Sequence, residues 1–166
     1  MKLSLVLSMG LLVLPSVAEA QIELGFDSGI EVDRTLGINV TTFDIPTRWF
    51  RIGFPGERIS FESLVTFSVT RVLDQTASVI KFLPGIVYHT RRGLYFRGEA
   101  GMLLINDPGS SASQFAFGVA TGLKRQIGSG PLYLRLETGV DRWRGNSDFF
   151  EHSEFRGLVG ISVVVN

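Results

Sequence analysis

The chain has 166 residues, and its 16 basic and 16 acidic residues cancel to a formal net charge of zero, so no net field recruits nucleic acid or acidic substrates. There is no cysteine, which excludes disulfides, thiol catalysis and cysteine-based zinc sites. The two histidines, His89 and His152, stand far apart in sequence, which argues against a multi-histidine metal site.

The first twenty residues read as a cleavable signal peptide. Lys2 gives a short positive start, Leu3 to Val13 is apolar, and Pro15 is followed by Ala18-Glu19-Ala20, which predicts a mature domain from Gln21 to Asn166. The apolar run falls short of the roughly 20 residues that a spanning helix needs. No cysteine follows the cleavage point, so a lipid-anchored start is excluded. Beyond Gln21 no apolar run reaches helical spanning length, so any membrane residence must come from strands.

From Gln21 onward the hydrophobic period is two. Ile22, Leu24, Phe26, Ile30 and Val32 share one parity while Glu23, Gly25, Asp27, Gly29 and Glu31 share the other, predicting a strand with one oily and one polar face. After a turn at Asp33-Arg34, an irregular second segment runs from Ile38 to Phe54, clearest from Trp49 onward. Pro46 predicts a bulge or an extension beyond the membrane there. Pro55-Gly56-Glu57-Arg58 is a tight turn. The third strand sets Ile59, Phe61, Val65, Phe67 and Val69 against Ser60, Glu62, Thr66 and Ser68. The fourth, from about Ser78 to His89, carries Ile80, Phe82, Ile86 and Tyr88 on one face and is weakened by Pro84, which removes a ladder donor.

Thr90-Arg91-Arg92-Gly93 turns the chain into a fifth strand, where Leu94, Phe96, Ala100, Met102 and Leu104 oppose Tyr95, Arg97, Glu99 and Gly101. Asn106 to Ser113 reads as a polar loop. The sixth strand sets Phe115, Phe117, Val119 and Leu123 against Gln114, Ala116, Gly118, Ala120 and Gly122. The seventh sets Leu132, Leu134, Leu136 and Val140 against Tyr133, Arg135, Glu137, Gly139 and Asp141. Arg142 to Ser153 reads as the longest late loop, before a last strand with Phe155, Val159, Ile161, Val163 and Val165 on its oily face.

Strands of roughly ten residues match the length of a tilted membrane strand. The connections are expected to alternate between short turns at Pro55 to Arg58, Thr90 to Gly93 and Gln126 to Pro131, and longer polar loops at Arg71 to Ala77, Asn106 to Ser113 and Arg142 to Ser153. Short periplasmic turns and longer outer loops are the asymmetry of outer-membrane barrels. The fold class expected is therefore all-β, an eight-stranded antiparallel up-and-down transmembrane β-barrel.

Alternation alone does not say which face meets lipid. The composition of the polar parity does: Gln21 to Asn166 holds only Lys81 and Lys124 against thirteen arginines, and that parity is dense in Gly, Ala and Ser. Such residues suit a crowded lumen better than a solvated face, and arginine suits confined pairing because its planar guanidinium can bind a carboxylate through two parallel hydrogen bonds. Glu23, Asp27, Glu31, Glu62, Glu99 and Glu137 share this parity with Arg51, Arg97, Arg135 and Arg156. An interior ion-pair network of Arg51, Glu62, Arg97, Glu99, Arg135, Glu137 and Arg156 is therefore expected. Phe54, Phe61, Tyr88 and Phe96 flank the short turns and Phe67, Phe82, Phe115 and Phe155 lie near the longer connections, as two interfacial girdles would.

Leu-Tyr-x-Arg-x-Glu-x-Gly occurs twice, at Leu94 to Gly101 and at Leu132 to Gly139. With Arg51-Ile52-Gly53-Phe54, Ile59-Ser60-Phe61-Glu62, Leu132-Tyr133-Leu134-Arg135-Leu136-Glu137 and the closing Gly160-Ile161-Ser162-Val163-Val164-Val165, the chain resembles the small eight-stranded outer-membrane barrels of the OmpA transmembrane domain and OmpX type, and in particular the uncharacterised single-domain outer-membrane β-barrel proteins. The resemblance spans Gln21 to Asn166 as a pattern of weak motifs. It implies an outer-membrane location, contact with outer-membrane lipid and lipopolysaccharide, and insertion by the barrel-assembly machinery. One departure is that the chain closes on Val165-Asn166, where this class commonly carries an aromatic residue.

Candidate chemistry is sparse. Glu99 and Glu137 have the residue types of a glycosidase couple, but arginines share their faces and an eight-stranded lumen is just wide enough for side chains to fill, so structural ion pairing explains them better. His152-Ser153-Glu154 supplies the residue types of a lipid-modifying acyl transferase or deacylase, yet adjacent residues rarely converge as a triad. Gly118 to Gly122 has no helix behind it to cradle a phosphate. Trp143, Phe149 and Phe150, placed in the last outer loop, are the candidates for surface contact with an extracellular partner or with the lipopolysaccharide layer. No catalytic, cofactor-binding or metal site is expected, and no cofactor. The expected role is structural or surface-interacting rather than enzymatic. A lipid A-modifying enzyme, a narrow pore and a soluble periplasmic barrel binding an apolar ligand are the alternatives.

Overall fold

The computed structural model describes residues 21–35, 38–72, 75–107, 110–145 and 152–166. The leader from Met1 to Ala20 and the loop residues Phe149 and Phe150 lie outside them. Period-two patterning builds eight strands: β1 (Ile22–Thr35), β2 (Ile38–Phe54), β3 (Ile59–Val72), β4 (Gln75–His89), β5 (Leu94–Asp107), β6 (Ser110–Gln126), β7 (Leu132–Gly145) and β8 (His152–Val165). Each pairs antiparallel with its chain neighbour, and β1 closes on β8 through a ladder from Ile22–Val165 to Arg34–Ser153, so the sheet is a complete barrel. Closure gives every strand two partners and leaves no strand standing free at the side of the sheet.

The two faces of the wall are chemically opposite. Outward positions carry large apolar side chains on every strand, among them Phe26, Phe50, Phe61, Phe82, Phe96, Phe117, Leu134 and Ile161, with Phe117 and Val119 exposed by 64% and 62%. Inward positions are buried and include Glu23, Asp27, Arg51, Glu62, Arg97, Glu99, Arg135, Glu137, Asp141, Glu154 and Arg156. A water-soluble barrel has the reverse arrangement, because oily side chains leave water when they have an interior to enter.

The start of β1, the end of β8 and the turns at 55–58, 90–93 and 127–131 share one end of the barrel, here the near end. At the second of these turns Thr90 N and Leu94 O are 2.8 Å apart and Gly93 adopts φ 81°, a left-handed conformation that a side chain at that position would strain. The far end differs from expectation. Strands run 14 to 17 residues rather than about ten, and Val72 pairs with Gln75 and Asp107 with Ser110. The stretches Arg71 to Ala77 and Asn106 to Ser113, read as long loops, are therefore mostly strand. Polarity marks where the apolar belt ends, whereas a ladder continues for as long as backbone donors and acceptors remain in register.

Two prolines interrupt the wall. Between Asp27–Trp49 and Gly29–Asp44 the register of β1 with β2 shifts, so residues 45–48, including Pro46, bulge out of the ladder as expected. β2 pairs with β3 only from Trp49–Thr66 to Phe54–Phe61, leaving their far halves unpaired with each other among the described residues. The β4–β5 ladder is interrupted at Leu83 and Pro84, and Arg97 Nη2 donates to the Leu83 carbonyl at 2.6 Å.

Candidate functional site

The near half of the lumen is a cage of charges. Arg51 on β2 donates from Nε to Asp27 at 3.0 Å, from Nη1 to Glu62 at 2.7 Å and from Nη2 to Glu137 at 3.1 Å. Arg135 on β7 grips Glu62 through Nη1 at 3.0 Å and Nη2 at 2.6 Å, and also reaches Glu23 at 3.0 Å. Arg156 on β8 bridges Glu99 and Asp141 and lies 3.5 Å from Glu137. Arg97 is 3.0 Å from Glu99 on its own strand. Lys124 and Ser162 donate to Glu23, each at 2.5 Å, and the Tyr95 hydroxyl donates to Glu137 at 2.7 Å.

Five cations thus interlock with six carboxylates. Removing such groups from water costs several kcal/mol per ion unless partners replace the water, and here four of the six carboxylates, Glu23, Glu62, Glu99 and Glu137, are shared between donors from different strands, while Asp27 and Asp141 are held by Arg51 and Arg156. The close approach is possible because small residues lie opposite the acids: a Cβ at Gly118 would fall within the Asp141 carboxylate, and one at Gly160 within that of Asp27.

The far half is filled differently. Along β3, β5 and β7 the inward positions change from charged to apolar with distance from the near end: Glu62 then Leu64, Glu99 then Leu103, Asp141 then Trp143. Trp49, Leu64, Leu83, Leu103, Ala116, Trp143 and Leu158 pack into one buried cluster, with Val79 and Ile105 against it. Lys81 lies 5.6 Å and 5.9 Å from the Trp49 and Trp143 ring centroids and donates to Glu31 at 3.0 Å and Glu154 at 2.7 Å. An indole face attracts an ammonium electrostatically, so the two tryptophans help hold this lysine inside the apolar layer.

The seven residues Arg51, Glu62, Arg97, Glu99, Arg135, Glu137 and Arg156 are all buried in the lumen and are joined by ion pairs. The surface-contact reading of Trp143 is corrected: β7 continues to Gly145, and Trp143 is an inward residue with 0% exposure. Its parity is that of Arg135, Glu137 and Asp141, and counting by two from Arg135 would have placed it. The polarity of Arg142 and Arg144 on either side suggested a loop instead. The same parity count identifies Trp49, two residues before Arg51, as well as Lys81 and Tyr95, none of which was expected in the network. Glu99 and Glu137 are both engaged by Arg156. In β8 the alternation turns Ser153 away from His152 and Glu154, and its hydroxyl faces Arg142 at 3.5 Å, so these adjacent residues do not converge as a triad.

The closed, all-antiparallel, eight-stranded wall with an oily outside defines a class of fold, that of the small outer-membrane β-barrels. Neisserial surface protein A (NspA) superposes with a TM-score of 0.61 at 14% identity, over 87% of this chain and 99% of that one. Ail, the attachment invasion locus protein of Yersinia pestis, superposes with a TM-score of 0.54 at 9% identity, over 89% of this chain and 99% of that one. No protein-family model matches the chain, and no curated protein matches it by sequence.

Proposed function

We propose that the protein is an integral outer-membrane barrel with a structural or surface-interaction role, its lumen closed by arginine–carboxylate pairs and by the apolar layer above them. The observation that carries this reading is the inverted partition of the wall: Phe115, Leu134 and Ile161 are exposed while Arg97 and Glu137 are buried. Apolar surface of this extent on all strands is stable only against another apolar phase, and closure satisfies the backbone groups that hydrocarbon cannot. The aromatic residues Phe54, Phe61, Tyr88 and Phe96 towards the near end, and Phe67, Phe82, Phe115 and Phe155 towards the far end, all point outward and fit two interfacial girdles.

In this reading residues 1–20 are a signal peptide, Gln21 is the mature N-terminus, and the near end is periplasmic. The strands extend beyond the bilayer on the outer side, since about 9–11 residues suffice to cross it. Outer-membrane lipid and lipopolysaccharide surround the belt, and the barrel-assembly machinery inserts it. The packed lumen favours a non-enzymatic, non-conducting barrel over a pore or a ligand-binding tube.

Cell fractionation followed by gel electrophoresis with and without boiling tests the reading. The expected result is recovery in the outer-membrane fraction, faster migration before boiling, and an N-terminal sequence beginning at Gln21. Release by osmotic shock would sink it. Planar bilayers should show no discrete conductance steps, and steady openings from the natural protein would replace the closed-lumen account with a pore.

A further inference from the structure

At the far end, beside the Trp143 layer, Asp33 of β1 and Glu154 of β8 are direct cross-strand partners. His152 is two residues from Glu154 on the same face of β8 and pairs across the ladder with Trp143. One ligand-capable atom from each of Asp33, His152 and Glu154 lies within 4.8 Å of the others, and His152 Nε2 is 3.9 Å from Asp33 Oδ1. We infer that Asp33, His152 and Glu154 form a binding site for one divalent first-row transition-metal ion, with zinc as the reference ion, at the far mouth of the barrel.

Three observations point to a cation rather than to an acidic patch. Glu154 is fully buried; its Oε2 accepts from Lys81 at 2.7 Å, while Oε1 has no hydrogen-bond partner among the described residues. Asp33 Oδ1 likewise has no hydrogen-bond partner there. A buried carboxylate oxygen left in that state costs far more than one facing water, and a metal ion is one group that relieves it. Lys81 is shared between Glu154 and Glu31 rather than dedicated to Glu154, and Asp33 stands beside Glu154 across the ladder, so a divalent ion would meet two adjacent carboxylates. The imidazole is also oriented, because the Trp143 ring stacks on His152 at 6.0 Å with an interplanar angle of 11°.

The donor set gives the metal class. One imidazole with two carboxylates is a nitrogen–oxygen set suited to zinc or a neighbouring transition ion, whereas calcium and magnesium call for oxygen alone. At metal–ligand distances of about 2.1 Å, tetrahedral donors lie about 3.4 Å apart, so side-chain rotation of about an ångström closes the present spacing. Three protein ligands leave the fourth position to water. Side-chain exposures of 31% for Asp33 and 15% for His152 leave a path from the far mouth. Only the side of the membrane that supplies the ion rests on the reading above; the site itself does not.

The test is calorimetric titration of Zn2+ into the full-length, tag-free protein in detergent micelles. Each variant is first shown to keep the heat-modifiable band. The expected result is saturable binding of one ion per chain, weakened at least about tenfold by His152→Ala and by Asp33→Asn. His89→Ala, which removes the other histidine, should leave binding unchanged. A tenfold excess of Ca2+ should not displace the zinc. Absence of saturable binding, indifference to His152→Ala, or equal competition by Ca2+ would each overturn the proposal. Should His152→Ala lose the folded band, Asp33→Asn in folded protein decides alone.

Discussion

The two halves of the lumen occupy the same inward parity of the same strands, yet one is filled with interlocked charge and the other mainly with hydrocarbon and indole around a smaller charged group, Lys81 with Glu31 and Glu154. In the near half, Arg135 meets Glu62 from 73 residues away and Glu23 from 112. In the far half, Leu64, Leu83, Leu103 and Trp143 fill space by volume. Directional pairs are satisfied only when every strand is in its native register, since a slip of one residue moves a whole face to the other side of the wall. An apolar filling is more tolerant of small displacements and contributes through displaced water and close contact. The near half thus specifies the closure, and the far half seals it.

That division is open to attack from the charged side first, where the largest effect is expected. Arg135→Met strips Glu62 of its two-pronged partner and removes one of three donors from Glu23, leaving buried charge uncompensated at a cost of about 4 kcal/mol. Urea-dependent unfolding in phospholipid vesicles measures it. Adding Glu62→Gln to the same chain should recover about half of that loss, because the stranded charge disappears while Arg51 keeps Asp27 and Glu137. A single variant within about 1 kcal/mol of the natural protein would mean that water fills the near half, and that the charges there are screened rather than interlocked.

The same measurement on the apolar side should give a smaller loss of a different kind. Leu64→Ala, at a fully buried position of the far cluster, is expected to cost about 3 kcal/mol through lost contact and the cavity left behind. Neutralising a carboxylate of the cage should not offset it: combined with Glu62→Gln, the loss should be additive or worse, in contrast to the partial recovery with Arg135→Met. Recovery in both cases would mean that the two layers act as one unit and that the contrast between them is only compositional.

How much of this could be read from the chain follows the same division. Parity depends on neighbours in sequence, so all eight strands, the inward placement of Arg51, Arg97, Arg135 and Arg156, and the bulge at Pro46 were legible before any coordinates. Pairing depends on how the closed wall is staggered, which is a property of all the ladders together; nothing local to Arg135 says that it meets Glu62 rather than Glu99. The far-end strand extensions were hidden for another reason. Asn106, Asp107, Ser110, Ser111 and Ser113 signal departure from an apolar belt, and the ladder between β5 and β6 nonetheless continues through them. Trp143 was misplaced by the same error, its charged neighbours outweighing its parity.

The duplicated Leu-Tyr-x-Arg-x-Glu-x-Gly segment allows the contrast to be made at the scale of one hydroxyl. Tyr95 and Tyr133 hold equivalent steps on β5 and β7, but Tyr95 is fully buried with its hydroxyl donating to Glu137 at 2.7 Å, whereas Tyr133 is half-buried with Lys124 4.7 Å from its ring centroid. Tyr95→Phe therefore deletes a charge-directed hydrogen bond in a dry site and should cost about 2 kcal/mol. Tyr133→Phe keeps the ring under the Lys124 ammonium and should cost less than about 0.5 kcal/mol. Equal costs for the two tyrosines would mean that the repeat fixes environment as well as parity, and that the closed wall adds nothing to what the two segments share.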